Sequence, residues 1–310
     1  KLIQQAEEMG YDTIWLTEHH FADDGYSPSI VTIAAAIAAV TERVRIGFNL
    51  LLLPLHNAIR VAEDIATLDV ISGGRIDVGL GQGYATHEFA GYGIPRSERL
   101  SRFVEGIEVL KGLWTEDTFS YSGRHYEIDS ARLVPKPVQQ PMPPLWIGAT
   151  TGKAVARAGR LGAHLLGLNF PHLQRVYESA LTEAGHDLDA AKVLQLHWTH
   201  IADSADQAWA EAGPHFHHLL SVYAQWNNES VASGGGGVET AVPPLEDLRG
   251  ASNLMFDPKF GSPDEVRDAL RAANERLRTT HLGLGVLPGV DPQLTRRSME
   301  QFMSDVAPGL

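Results

Sequence analysis

The chain of 310 residues has 38 acidic and 25 basic side chains, a formal net charge of −13, and no cysteine. The acidic excess argues against binding to nucleic acid or to an anionic membrane surface. The lack of cysteine excludes disulfides, thiolate catalysis and cysteine-ligated metal centres. It also suits a reducing cytoplasm, where we expect the protein to reside. No apolar run approaches the roughly 20 residues that a membrane-spanning helix needs.

Helical and strand patterns alternate from the start of the chain. A helix that ends at Gly10 precedes the strand YDTIWL. The chain then runs through the helix IVTIAAAIAAV, the strand RVRIGFNLLLL, the helix NAIRVAEDIATLDVIS, the strand RIDVGLG and the helix RLSRFVEGIEVLKGLW. Strands that are apolar along nearly their whole length are typical of a parallel sheet with helices on both faces.

The alternation pauses in the middle of the chain and then resumes. FSYSGRHYEI predicts a β-hairpin, and the proline-rich PKPVQQPMPP predicts an extended passage. Three more strand–helix pairs follow, with the strands PLWIGA, AHLLGLNF and VLQLHWTHIA and a last helix that ends near Trp226. Residues 227–261 have an irregular pattern, and a capped helix SPDEVRDALRAANERL, the strand HLGLGVL and a closing helix come after them.

Seven strands, each followed by at least one helix, indicate an α/β fold with one parallel sheet. Because a (β/α)₈ barrel has one strand more, we predict a single TIM-barrel domain over residues 1–310 whose first strand precedes Lys1 and is missing from the sequence. The hairpin is an insertion, and the loop at about 227–260 is a predicted lid. An open doubly wound sheet is the alternative, but no Gly-x-Gly-x-x-Gly follows the first visible strand.

The stretch YDTIWLTEHHF ends an apolar strand with Glu18, His19 and His20. Active sites of such barrels lie at the carboxyl ends of the strands, so these side chains are candidates for chemistry. Side chains alternate along a strand, which predicts that Glu18 and His20 share one face and that His19 lies on the other. One imidazole then faces the pocket. The alternative is that both histidines are ordinary hydrogen-bonded residues at a strand end.

Three more strand ends carry candidate ligand-binding residues. Asn49 places an amide among apolar residues, where it needs a hydrogen-bond partner. GLGQGY ends a strand with glycines that let a backbone approach a ligand. GATTGK ends a strand and opens a helix, whose free N–H groups suit a phosphate. A threonine cap without a ligand is the alternative for that turn.

The histidine clusters HFHH and HWTH invite a metal interpretation, but no carboxylate cluster at metal-ligand spacing accompanies either one. His215 and His218 fit a solvated helix face, and His197 and His200 lie on opposite faces of a strand. We therefore predict no metal site. A metal-dependent hydrolase barrel stays open as an alternative function.

Taken together, these stretches resemble the bacterial luciferase-like flavin monooxygenases along nearly the whole chain. AEDIATLDVISGGR followed by GLGQGY carries much of the resemblance, and the Glu-His-His-Phe string is similar to the luciferase catalytic subunit. The resemblance implies a TIM barrel and a two-component monooxygenase. Such an enzyme takes reduced FMN from a separate flavin reductase and uses O₂ to oxidise a small, apolar organic substrate. It also implies a homodimer.

The resemblance also implies roles for individual residues. His19 is expected to be a catalytic acid or base near the reactive edge of the flavin, with Glu18 as a supporting catalytic residue. Asn49 and Leu50 are expected to form a non-proline cis peptide beneath the ring. The expected flavin-binding residues are Asn49, Leu50, Gln82, Gly83 and Tyr84 around the ring and Thr150, Thr151 and Gly152 at the phosphate.

Two residues depart from the luciferase pattern. The luciferase subunit has a phosphate-pairing arginine where Gln82 stands and a threonine phosphate ligand where Ala154 stands. Charge-assisted hydrogen bonds are roughly twice as strong as neutral ones, so we expect weaker FMN binding or other phosphate contacts. An oxidoreductase that uses the deazaflavin F420 and a non-catalytic flavin-binding barrel are the alternatives within the resemblance.

Overall fold

The computed structural model describes residues 1–167, 170–235, 238–251 and 256–310. In these ranges the strands are β1 (Thr13–Leu16), β2 (Arg45–Phe48), β3 (Leu51–Leu52), β4 (Ile76–Gly81), β5 (Phe119–Ser122), β6 (Glu127–Ala131), β7 (Leu145–Gly148), β8 (His164–Gly167), β9 (Val193–Ile201), β10 (Lys259–Gly261) and β11 (His281–Gly285). The helices are α1 (Leu2–Met9), α2 (Ile30–Val40), α3 (Ala58–Ser72), α4 (Thr86–Gly91), α5 (Arg99–Thr115), α6 (Gly152–Arg160), α7 (Pro171–Glu183), α8 (Ala205–Ala232), α9 (Pro263–Asn274) and α10 (Pro292–Gln301).

The strands form one curled parallel sheet and a separate hairpin. The sheet follows the order β1-β2-β4-β7-β8-β9-β10, with β3 paired to β4 and β11 paired to β9. All of its ladders are parallel, whereas β5 and β6 pair antiparallel as the predicted hairpin. The predicted α/β class is therefore confirmed. The strand expected before Lys1 stays a prediction.

Several predicted boundaries were wrong. RVRIGFNLLLL is not one strand: a cis peptide bond between Asn49 and Leu50 separates β2 from β3, and a 3₁₀ turn follows. The segment 227–260 is less irregular than predicted, because α8 continues to Ala232, a 3₁₀ helix spans Leu245–Gly250 and β10 begins at Lys259. Residues 236–237 and 252–255 of the predicted lid lie outside the described residues. So do residues 168–169 of the predicted strand AHLLGLNF.

Local sequence signals explain where the helices begin and end. The Asn57 side chain accepts hydrogen bonds from the first turn of α3, and Gly73 ends that helix in the left-handed conformation with φ of 66°. Ser262 and Glu265 form a reciprocal capping box at the start of α9. These caps satisfy backbone groups that a helix leaves unpaired at its ends.

Large apolar side chains fill the interior of the curled sheet. Trp146, Leu166 and Leu194 form a buried cluster, against which Trp15 and Leu50 pack. The Trp15 ring lies so close to Gly47 that a Cβ there would come within 2.3 Å of it. Because this interior is packed, the space for a ligand is at the ends of the strands. Among the described residues, no helix is both long and apolar enough to cross a membrane.

One half-buried histidine at the start of β8 has a lowered pKa. Burial lowers the pKa of His164 to about 4, and nearby Lys192 adds to this shift. The His164 Nδ1 atom accepts the backbone N–H of Lys192 at 3.2 Å, and protonation at Nδ1 would remove that acceptor. A histidine with a lowered pKa costs stability as the pH falls, because the unfolded chain takes up the proton first.

We predict that the free energy of unfolding falls by about 3 kcal/mol on account of His164 as the pH drops from about 6.5 to about 4. His164→Gln should flatten this part of the profile, measured by urea unfolding on both sides of the window. His218→Gln, at an exposed histidine, is the control and should leave the profile unchanged. Equal profiles for wild type and His164→Gln would contradict the prediction.

Candidate active site

The buried carboxylate of Glu88 holds the residues that follow β1. Its Oε1 atom lies 2.9 Å from Nδ1 of His19 and accepts the backbone N–H of His20 at 2.9 Å. A carboxylate only accepts hydrogen bonds, so Nδ1 of His19 carries the proton and donates it. In the neutral imidazole Nε2 is then an acceptor, and among the described residues no hydrogen bond occupies it. This arrangement leaves a proton acceptor at the strand end.

Aromatic side chains surround the His19 ring. Its centroid lies 4.4 Å from that of Trp226, 4.9 Å from that of Tyr26 and 5.4 Å from that of Tyr223. The hydroxyls of Tyr26 and Tyr223 are 3.1 Å apart and share a hydrogen bond. Burial raises the pKa of Tyr223 well above its usual value, so its phenol stays neutral. The imidazole is therefore screened from water on these sides by aromatic rings.

Glu18 points to a different set of partners from His19. Its Oε2 atom accepts the backbone N–H of Leu52 at 2.6 Å, and its Oε1 atom lies 2.8 Å from Nε2 of His56. The Nε2 atom of His20 is 3.2 Å from the same oxygen. Burial raises the pKa of Glu18, but the two imidazoles and the Leu52 N–H outweigh it and lower the pKa to about 2. Glu18 therefore fixes the start of β3 and does not contact the His19 ring.

The cis peptide expected from the resemblance is present between Asn49 and Leu50. The Leu50 side chain lies between two glycines of neighbouring strands. A Cβ at Gly81 would come within 2.7 Å of it, and a Cβ at Gly148 would come within 2.5 Å. The absence of side chains at these two positions makes room for Leu50 at the strand ends.

Helix α6 begins with free backbone donors. Thr151 is its N-cap residue and makes no side-chain capping bond, and both Thr150 and Thr151 are exposed. A Cβ at Gly152 would meet nothing within 4 Å, so the first turn is open. A helix N-terminus of this kind attracts an anion. Gln82 follows β4, which pairs directly with β7, the strand that leads to α6.

The segment after β4 is tied to the end of α8. His87 Nδ1 lies 3.0 Å from Glu229 Oε2, and Arg96 donates to the Ser230 hydroxyl at 2.5 Å. Arg96 also donates to the backbone oxygen of Tyr84 at 3.2 Å. Burial raises the pKa of Tyr84, with a smaller effect from Glu88, so this phenol also stays neutral. Loop and helix thus form one wall beside His19.

The structure places every sequence-predicted site residue at or next to a strand end of the parallel sheet. Gln82, Gly83 and Tyr84 follow β4, and residues 150–152 follow the adjacent β7. Their roles in binding a flavin remain predictions. Sequence reasoning missed Glu88, because it lies in a six-residue helix with no recognisable apolar period. It also missed His56 as a partner of Glu18.

Comparison with known proteins identifies the family. The model of the luciferase-like monooxygenase family matches residues 1–281. The protein belongs to this family. The oxygenase component of a flavin-dependent trigonelline monooxygenase from Acinetobacter baylyi is 25% identical over 99% of this chain and 88% of its own length. The crystal structure of monooxygenase RslO1 from Streptomyces bottropensis superposes with a TM-score of 0.83 at 25% identity, and the match covers 99% of this chain and 92% of that one.

An enzyme named for another cofactor is also similar to this chain. An F420-dependent glucose-6-phosphate dehydrogenase from Amycolatopsis mediterranei is 35% identical, over 51% of this chain and 49% of its own length. The protein is thus an oxidoreductase of the luciferase-like family. Membership in this family alone does not determine whether the cofactor is a flavin or F420.

We predict that Glu88→Ala lowers the free energy of unfolding by roughly 3 kcal/mol, because it leaves the buried donors of His19 and His20 without an acceptor. Glu88→Gln keeps an acceptor oxygen and should cost less. Urea unfolding measures both. Glu63→Ala removes a side chain that is 54% exposed and pairs with Arg60, and as the control it should change stability by at most about 0.5 kcal/mol. A loss for Glu88→Ala as small as the control's would contradict the prediction.

Proposed function

We propose that the protein is the oxygenase component of a two-component flavin monooxygenase. It would take reduced FMN from a separate flavin reductase and use O₂ to oxidise a small, apolar organic substrate. The observation that carries the proposal is the His19–Glu88 pair, which leaves His19 Nε2 as a proton acceptor at the strand ends. The relative from Acinetobacter baylyi, named as the oxygenase component of a flavin-dependent monooxygenase, supports it.

The geometry fits a flavin phosphate at the start of α6. The unpaired N–H groups of the first turn, the exposed hydroxyls of Thr150 and Thr151 and the open space at Gly152 would hold it. Leu50, seated between two glycines, would contact the ring. When bound, the reduced flavin supplies the electrons that activate O₂.

His19 would manage a proton during oxygenation. Its Nε2 atom accepts the proton, and the Glu88 carboxylate at Nδ1 then stabilises the imidazolium that forms. The rings of Trp226 and Tyr223 keep water from the imidazole. The neutral Tyr84 phenol has no hydrogen-bond partner among the described residues and is available as a donor to a ligand.

We predict that His19→Ala lowers the turnover of substrate with reduced FMN and O₂ by about 10²–10⁴-fold, the usual contribution of a general acid or base. Flavin affinity should change little, because the residues proposed to bind the phosphate and the ring do not include His19. His172→Ala, at an exposed histidine of α7, is the matched control and should keep full turnover. Full turnover by His19→Ala would show that the role assigned to His19 is wrong.

An F420-dependent oxidoreductase is the second candidate, and the neutral Gln82, at the end of the strand next to β7, and the relative from Amycolatopsis mediterranei favour it. Anaerobic titration with reduced FMN and with reduced F420, followed by addition of O₂, separates the two. Tight binding of reduced FMN and consumption of O₂ support the monooxygenase. Binding of reduced F420 alone, without O₂ consumption, supports the alternative.

We predict that Gln82→Arg tightens FMN binding by about tenfold, or about 1.4 kcal/mol, because a guanidinium at the end of β4 would reach the proposed phosphate site and add a charge-assisted bond. Riboflavin lacks the phosphate, so its dissociation constant should not change. Fluorescence titration measures both ligands. Gln82→Met tests for an effect of side-chain size alone. An equal gain for riboflavin, or no gain for FMN, would place the phosphate elsewhere.

We also propose that the segment after α8 acts as a lid and that the protein is a cytoplasmic homodimer. The side chain of Asn228 on α8 binds the backbone of Thr240 through two hydrogen bonds, of 3.0 and 2.8 Å, which holds the segment against the helix. Exposed apolar side chains on the adjacent helices α2 and α3 support self-association; they are Ile33, Val40, Val70 and Ile71. Sedimentation equilibrium tests the dimer.

A further inference from the structure

Three potential metal ligands converge on one point behind His19. They are Oε1 of Glu18, Nε2 of His20 and Nε2 of His56, and all three atoms lie within 4.8 Å of one another. Glu18 and His20 are each 3% exposed, and the His56 side chain is 27% exposed. Two residues follow β1 and the third follows the turn after β3, so the cluster joins two separate strand ends.

Hydrogen bonding among these groups does not fully account for their arrangement. His20 Nε2 is 3.2 Å from Glu18 Oε1 but is not oriented for a hydrogen bond, and it has no other partner among the described residues. Neighbouring ligands of a tetrahedral zinc ion, with bonds of about 2.1 Å, lie about 3.4 Å apart. The observed distances of 2.8 and 3.2 Å from the carboxylate oxygen are shorter than this value by about 0.6 and about 0.2 Å.

The charge around the cluster also favours a cation. Glu18 and Glu88 are both buried, and in the described part of the chain neither pairs with a lysine or an arginine. Glu88 lies next to the cluster through its bond to the His20 N–H, and its Oε2 atom has no hydrogen-bond partner among the described residues. Buried charges are normally paired or bind metals, so a divalent cation would offset both carboxylates.

Neighbouring groups orient two of the proposed ligands, His20 and Glu18, through hydrogen bonds. The Tyr92 hydroxyl lies 3.1 Å from Nδ1 of His20, so it can accept the Nδ1 proton and leave Nε2 free to bind a metal. The second oxygen of Glu18 is held by the Leu52 N–H. The partly exposed His56 gives an ion a route from solvent.

We propose that Glu18, His20 and His56 form a binding site for a divalent transition-metal ion of the zinc class, distinct from the flavin site. Two imidazoles and one carboxylate, with a fourth position for water, are a donor set that zinc accepts. The ion binds between the end of β1 and the turn after β3 and holds these two segments together. The sequence prediction of no metal site does not hold under this proposal.

The test is metal binding by the purified full chain after treatment with a chelator. We expect one Zn²⁺ per chain by calorimetry, and a Co²⁺ complex whose visible absorption bands indicate a tetrahedral site. His56→Gln removes a ligand and should weaken Zn²⁺ binding by at least about tenfold. Tyr92→Phe should weaken it by about 10–100-fold, the usual effect of losing a group that orients a ligand.

His218→Gln is the matched control. His218 lies 3.1 Å from a single carboxylate, that of Asp24, and its loss should leave the affinity unchanged. No stoichiometric binding by the wild type, equal binding by His56→Gln, or an equal loss in His218→Gln would each overturn the proposal. The measurements use neither flavin nor substrate, so they are independent of whether the protein is a monooxygenase.

Discussion

The hydrogen bonds that Glu88 accepts are the constraint on which the site depends. One oxygen of this fully buried carboxylate receives both the imidazole N–H of His19 and the backbone N–H of His20. A carboxylate cannot donate, so the contact fixes which nitrogen of His19 holds the proton. It also joins β1 to the short helix α4. The chemistry available at Nε2 therefore follows from a residue that lies far away in sequence.

Three consecutive residues, Glu18, His19 and His20, perform different tasks because their side chains point to different partners. Glu18 reaches the Leu52 N–H and so holds the strand segment that follows the cis peptide. His19 extends among the aromatic rings. His20 turns back to the same side as Glu18. All three lie beyond β1, which ends at Leu16, so the neighbouring elements decide what each side chain meets.

The order of strands and helices could be predicted from the sequence, because apolar runs and helix caps are local signals. It could not show Glu88, which is buried by its surroundings and belongs to a helix too short to have a period. Nor could it show that His56 meets Glu18, or that Trp226 of α8 packs on His19, since these contacts depend on how strand ends and helices meet in space. The break at Asn49 was expected only from the resemblance.

Access to His19 depends on the second half of α8. This helix supplies Trp226 and Tyr223 to the imidazole, and two residues further along it bind the segment after β4 through His87 and Arg96. Any movement that opens the aromatic wall therefore also strains the links to that segment. The residues after α8 are tied to the same helix. The rings beside His19, the segment after β4 and the segment after α8 are thus all linked through one helix.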